Sequence, residues 1–253
     1  MEQKIRKTLE DIKDTDSLIE YLKYPYYGFS SAYHYTSLEA LYQIFKNKTL
    51  RFSRMSAMND SFERELFCDN KDFFFCLSKG KEDIFENFGM WAMYGKLNNS
   101  KTDDPTKIGV KIYFSKENLQ RLLVENKKII PHSVAYANII ENYENPKNLK
   151  VRVGSHTANI SDFDIKKHSG FLKDTAWKYE NELRLRIPCT TERLTDKTKD
   201  IPISEEILGS LKIYPSPIYD CDTCKKIFLN LNKGEGLIPK FENNVYRQTL
   251  KMD

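Results

Sequence analysis

Hydrophobic and polar positions along this chain switch repeatedly between a helical and a strand period. Ile5, Leu9, Ile12, Leu18 and Leu22 recur at near-helical spacing, with an interruption at Asp14-Thr15-Asp16, so residues 2–22 read as a helix or helix pair. Tyr24-Pro25-Tyr26-Tyr27-Gly28 is a breaker and turn. A short strand is predicted over 32–35. Thr36-Ser37-Leu38-Glu39 then fits a capping box, with Thr36 as the cap and Glu39 reaching back. The helix it opens runs through Phe45, with Leu38, Leu41, Ile44 and Phe45 on its core face. Residues 50–54 alternate as a strand, 58–63 form a loop entering a short helix, and 73–77 are an apolar run of the buried-strand type. Further on, the pattern predicts helices over 86–94 and 117–125 and strands over 109–115, 133–140 and 149–153. Ser161 caps a helix to about Lys173. After a strand over 175–187 come a polar loop, a helix near 203–210, a strand at 211–217, a helix near 220–231 and a last strand near 244–248.

Within the 175–187 strand, Trp177, Tyr179, Leu183 and Leu185 alternate with charged residues, Asn181 being the exception. Period-two geometry puts Lys178, Glu180, Glu182, Arg184 and Arg186 on the other face. If that face lines a cleft, the row is a reactive site; if it faces water, it is a solvated face. The strands come in pairs rather than in regular βαβ units. The fold class is therefore α+β: a single domain over 1–253 with a bent or split mixed or antiparallel sheet flanked by helices. Residues 1–30 form a helical extension, 31–190 the motif-bearing core, and 191–253 complete the fold.

Composition narrows the function classes. The 253 residues are 40% hydrophobic and 30% charged, as expected of a soluble globular protein. A net charge of +4 from 40 basic and 36 acidic residues permits nucleic-acid contact without arguing for it. No stretch approaches the roughly 18 apolar residues of a membrane span, and the charged start has no apolar signal core. We expect a cytoplasmic protein with no membrane partner. Five cysteines, Cys68, Cys76, Cys189, Cys221 and Cys224, suggest reduced thiols. Cys221-Asp222-Thr223-Cys224 has the spacing of half a zinc site, but no second pair completes it. These two read as ordinary thiols at a helix start, and no metal is expected. The absence of GxGxxG, P-loop, GxSxG and HExxH signatures argues against dinucleotide dehydrogenases, P-loop NTPases, α/β-hydrolases and zincins.

Three constellations remain. His34-Tyr35-Thr36 stands at a strand-to-helix junction, where backbone N–H groups and a positive helix end suit a phosphate. Asn59-Asp60 followed by Glu63 offers a turn residue, a helix cap and a first-turn acid. Trp91 and Tyr94 lie one turn apart on a helix, as a core stripe or as a stacking surface for a planar ligand.

The ordered runs 33–38, 50–53, 59–63, 90–94, 109–114 and 177–184 resemble a mostly bacterial family known as domain of unknown function 2971. That family often has Pro after the Asn-Asp pair, where this chain has Ser61. The family name implies no activity. A second resemblance does. His34-Tyr35-Thr36, Ile44 and Leu50 are similar to the first unit of ADP-ribosyltransferase-type folds, and Glu180-Asn181-Glu182 to their late Glu-x-Glu pair.

The resemblance implies an ADP-ribosyltransferase-like fold acting on NAD, with Glu182 as principal carboxylate and Glu180 as the second. His34, Tyr35, Thr36, Ser53, Asn59, Asp60, Trp91, Tyr94 and Arg184 would hold the NAD. The acceptor would be a protein or nucleic acid, and a toxin or phage-defence effector is compatible. The residue types suit the chemistry. A carboxylate on a ribose hydroxyl stabilises oxocarbenium-like charge, and a second orients or deprotonates the acceptor. Two alternatives stay open. One is a magnesium-dependent nuclease using Asp60 or Glu63 with Glu180 and Glu182, assisted by Lys178 or Arg184. The other is a non-catalytic binding or sensor module whose charged strand face is a salt-bridge ladder.

Overall fold

The computed structural model describes residues 11–23, 31–58, 63–64, 70–80, 87–94, 104–140, 150–159, 169–189 and 195–243. In chain order its main elements are α1 (Thr15–Lys23), β1 (Ala32–Ser37), α2 (Leu38–Asn47), β2 (Thr49–Arg54), β3 (Phe73–Lys79) and α3 (Phe88–Met93). Next come β4 (Gly109–Phe114), α4 (Lys116–Glu125), β5 (Ile130–Ser133), β6 (Ala135–Ile140), β7 (Lys150–Val153), β8 (His156–Asn159) and β9 (Leu172–Asp174). The chain continues through β10 (Glu182–Ile187), β11 (Thr198–Pro202), α5 (Glu205–Ser210), β12 (Lys212–Pro215), α6 (Cys221–Leu231) and β13 (Lys240–Phe241).

Side-chain caps set where the helices begin. Asp14 Oδ1 accepts from the Ser17 N–H at 2.8 Å, so α1 starts at the break seen in the sequence. At α2 the cap is Ser37, not Thr36: β1 continues to Ser37, whose Oγ accepts from the Ala40 N–H at 3.2 Å. Glu39 pairs with Lys107 instead of closing a capping box. Cys221 and Cys224 open α6 behind the Asp220 cap as thiols outside any disulfide, Cys224 fully buried.

Residues fall into two compact units interleaved along the chain. The first comprises 1–28, 52–76 and 128–199, the second 29–51, 77–127 and 200–253. In the first unit β10 pairs antiparallel with β5, Leu183 opposite Ser133 and Arg184 opposite His132. A separate four-stranded sheet runs β8-β7-β6-β9, with β6 and β9 parallel. Its core includes Leu18, Tyr21, Leu22, Phe74, Val151 and Phe171. In the second unit β1 pairs antiparallel with β4, β4 with β12, and β12 runs parallel to β13. Phe45 of α2 meets Phe228 of α6 edge-on at 5.8 Å.

Several expectations change. The predicted 133–140 strand is two strands, β5 and β6, broken at Val134. Residues 161–168 lie outside the described residues, and Lys173, expected at a helix end, is in β9. The loop between 187 and 203 contains β11, and β8 was not foreseen. The most consequential change is at 175–187. Thr175–Glu180 is a 3-10 turn, Asn181 is left-handed at φ 45, and the strand begins only at Glu182. Asp174 nucleates that turn by accepting from the Ala176 N–H at 2.8 Å. The expected last strand at 244–248 lies outside the described residues.

Candidate functional site

Although Glu180 and Glu182 do not share one strand face, both are drawn into one buried charged cluster of the first unit. Alternation along β10 puts Glu182, Arg184 and Arg186 on one side of the strand. Arg184 is fully buried and grips Glu182 with two hydrogen bonds, Nε to Oε1 at 3.0 Å and Nη2 to Oε2 at 2.9 Å. Its Nη2 also donates to Glu63 Oε1 at 2.7 Å, and Nη1 reaches the Gly170 oxygen at 2.9 Å and Met55 Sδ at 3.6 Å. A guanidinium has five N–H donors, and these five contacts occupy them. Arg184 therefore positions carboxylates, and its donors are all engaged within the protein rather than offered to the NAD that the resemblance implied.

Lys173, from β9, is the second buried cation. Its Nζ donates to Glu180 Oε2 at 2.5 Å and lies 3.7 Å from Glu182 Oε2 and 3.9 Å from Glu63 Oε2. The Trp177 ring centroid is 4.8 Å from the same ammonium. The Glu182 N–H donates to the Tyr136 hydroxyl at 2.8 Å, and the Cys76 thiol hydrogen-bonds the Glu182 carboxylate.

Two cations against three carboxylates leave a formal charge of 2 − 3 = −1 with every group ionised. The carboxylates respond differently. Burial opposes ionisation of Glu182, but the charges of Arg184 and Lys173, with hydrogen bonds from Arg184 and Cys76, outweigh it and hold its carboxyl at about 2. At Glu63 burial wins over the pull of Arg184 and Lys173, and the carboxyl sits above its usual range. Burial pulls Lys173 down, but Glu182 and Glu63 raise it further. Burial, then Glu182, push the Cys76 thiol well up and the Tyr136 hydroxyl likewise.

Of the residues named from sequence, Ser53, Glu180, Glu182 and Arg184 belong to the first unit, and Ser53 is half-buried in β2 opposite Phe74. His34, Tyr35, Thr36, Trp91 and Tyr94 belong to the second unit. The strand-to-helix junction falls at Ser37-Leu38, one residue beyond Thr36, so 34–36 lie within β1. His34 and Thr36 point to one side of it and Tyr35 to the other. Tyr35 joins Tyr33, Met90, Trp91, Tyr113 and Tyr214 in an apolar cluster with Tyr94 packed against it. Trp91 is fully buried there, edge-on to Tyr35 at 5.1 Å and 84°. It is core and offers no face for stacking. The buried Lys111 ammonium sits among these rings, 4.6 Å from Tyr33, 5.1 Å from Tyr214 and 5.9 Å from Trp91. Asn59 and Asp60 lie outside the described residues.

Sequence reasoning missed Lys173, Tyr136 and Cys76, and it named Glu63 as a first-turn acid and a metal ligand of the nuclease alternative, not as a partner of Arg184. For Cys76 the available signal was a thiol inside the apolar run at 73–77; Lys173 sits between Leu172 and Asp174 and carried none. Tyr136 carried no such signal. Among the described residues no three His, Cys, Asp or Glu side chains group as metal ligands. Arg184 Nη2 and Lys173 Nζ stand where a cation between these carboxylates would sit. No described helix is long and apolar enough to cross a membrane.

The fold is α+β. Residues 90–185 match the model of a family described as protein of unknown function (DUF2971). Among curated proteins nothing matches this chain. Among solved structures it is similar to DarT of Thermus sp. 2.9 in complex with NAD+, at 11% identity and a TM-score of 0.37, over 87% of this chain and 97% of that one.

Proposed function

We propose that the chain cleaves the nicotinamide–ribose bond of NAD and passes ADP-ribose to a macromolecular acceptor. Glu182 is the principal carboxylate and Glu180 the second. The observation that supports this reading is Glu182 itself, a carboxylate buried in a low-dielectric cluster yet held ionised by Arg184 and Lys173. A fixed negative charge out of water is what developing positive charge on a ribose needs. Arg184 donates one hydrogen bond to each Glu182 oxygen, and the Cys76 thiol adds a third to the carboxylate. Each carboxylate oxygen has two lone-pair sites, so capacity remains for a ribose hydroxyl. Glu180, bonded to Lys173, is the candidate to orient or deprotonate the acceptor.

A second reading is favoured by one observation: the three carboxylates all have cationic partners inside the protein, with side chains 3–7% exposed. Such a closed set can act purely as a structural ion network.

Incubating the chain with NAD, with and without cell extract as acceptor source, and detecting free nicotinamide separates the two. Transfer predicts release by the native chain, lost in Glu182→Gln and reduced in Glu180→Gln with the fold intact. No release under either condition, with no NAD binding, sinks the enzymatic reading and leaves the structural one.

A further inference from the structure

His132, on β5, is 1% exposed and has a backbone oxygen at each ring nitrogen. Nε2 lies 3.0 Å from the Tyr21 oxygen, and Nδ1 lies 2.6 Å from the Ser133 oxygen. Carbonyl oxygens only accept. A neutral imidazole has a single N–H, so it answers one oxygen and sets a lone pair against the other. Only the imidazolium donates to both.

The place of Tyr21 strengthens the point. It is in the last turn of α1 (Thr15–Lys23), where backbone carbonyls lack helical partners and the helix end is negative. A cation there both caps the helix and complements its dipole. The Tyr21 hydroxyl donates to the same Ser133 oxygen at 2.9 Å, so α1 is tied to β5 at two points. Phe171 stacks on the His132 ring at 4.2 Å and 16°, and Tyr21 meets it edge-on at 5.0 Å and 80°.

Charged and titratable groups among the described residues face His132 from neighbouring elements. On β10, Arg184 is its register partner, and its like charge opposes protonation; that charge is engaged by Glu63 and Glu182. The Arg186 guanidinium is 5.4 Å from the Phe171 ring. From α1 the facing titratable group is Tyr21. The Ser169–Phe171 turn brings an uncharged ring, and the β5 neighbours Pro131 and Ser133 carry no charge.

We propose that His132 is an imidazolium in the folded protein and acts as a pH-sensitive latch on α1. Losing its second proton removes one of the two donations and turns a lone pair on a carbonyl, so α1 loosens. The two donations outweigh burial and the like charge of Arg184, which both oppose protonation, so the folded value lies above the usual ~6.5 of histidine. The stability it contributes is complete below that usual value and is lost as pH rises through the folded one.

The test is nitrogen-resolved NMR of the full chain from about pH 5.5 to about pH 9, following the histidine rings. The chain has four histidines, and His132 is assigned by loss of its signals in His132→Gln. If that variant does not fold, single Gln substitutions at His34, His156 and His168 assign it by elimination. The expected result is two protonated ring nitrogens near neutrality and a midpoint at least about one unit above free imidazole. Protection of the α1 amides, corrected for intrinsic exchange, should fall roughly tenfold per unit above that midpoint. An unprotonated nitrogen at neutral pH, or α1 protection that ignores the His132 midpoint, overturns the latch.

Discussion

Replacing Arg184 by methionine keeps much of the side chain's volume but removes its charge and all five donors. Glu182 loses both of its hydrogen bonds from Arg184, Glu63 loses its bond at 2.7 Å, and the Gly170 oxygen loses its donor. Lys173 then faces three buried carboxylates alone, so the formal charge falls from −1 to 1 − 3 = −2. Removing one partner of a buried ion pair costs about 3–5 kcal/mol. A second route gives a similar size. Holding Glu182 at about 2 rather than the usual 4.5 corresponds to about 3 kcal/mol, part of it owed to Lys173 and Cys76. Against a typical total stability of about 5–15 kcal/mol, that is a large loss.

Its pH dependence has a definite sign. In the native chain the Glu182 contribution is present above its unfolded value near 4.5 and is lost as pH falls toward 2. In the variant the carboxylates keep their burial without Arg184, so their folded values rise above the unfolded ones. The penalty then grows as pH rises through those values and eases toward acid. Urea unfolding of both chains at about pH 5.5 and about pH 8 measures this, with the larger deficit expected at the higher pH. A deficit below about 1 kcal/mol at the higher pH, or one that is the same at both, refutes the coupling of these charges.

Glu180→Gln should be milder, about 1–3 kcal/mol, because Lys173 keeps Glu182 at 3.7 Å and Glu63 at 3.9 Å; a loss equal to that of Arg184→Met in the same urea experiment would contradict this ranking. Gly170→Ala should lower the melting temperature by overpacking worth about 1–3 kcal/mol. A Cβ there would stand 2.4 Å from Phe74 Cζ, on the residue whose oxygen accepts from Arg184. An unchanged melt would show that Phe74 moves aside freely. The Cys76 thiol, pushed up by burial and Glu182, should resist alkylation in the folded chain at mildly alkaline pH and react on unfolding, as peptide mass spectrometry would show. Rapid labelling of folded Cys76 would mean that the cluster opens.

Much of the local structure was legible in the sequence because it depends on neighbours along the chain. The apolar run at 73–77 and the strand expected at 109–115 are β3 and β4, and the helical spacing at 38–45 is α2. Alternation also placed Glu182 and Arg184 on one side of a strand, two of the five charged groups of the buried cluster. Choices between near-equal local options were not legible. Thr36 and Ser37 are both competent caps, and the pairing of β1 with β4 through Ser37 opposite Gly109 decided between them. The 177–181 alternation suited a strand equally well, yet Asp174 and the left-handed Asn181 made it a turn.

Long-range placement was out of reach for a different reason. Glu63 and Arg184 are 121 residues apart, and Tyr21 and Ser133 are 112 apart, so no period or spacing encodes their meeting. Whether the charged row was solvated or buried turned on β9 carrying Lys173 and on Glu63 closing over Arg184. Charges leave water only where opposite charges and donors meet them, and that complement is assembled by tertiary packing. The sequence by itself determined the elements that local periodicity encodes, such as α2, β3 and β4, and which charges the chain carries. Only the tertiary structure decided that Glu180, Glu182 and Arg184 are buried together with Glu63 and Lys173, that Trp91 is core, and that the His132 ring lies between two carbonyl oxygens.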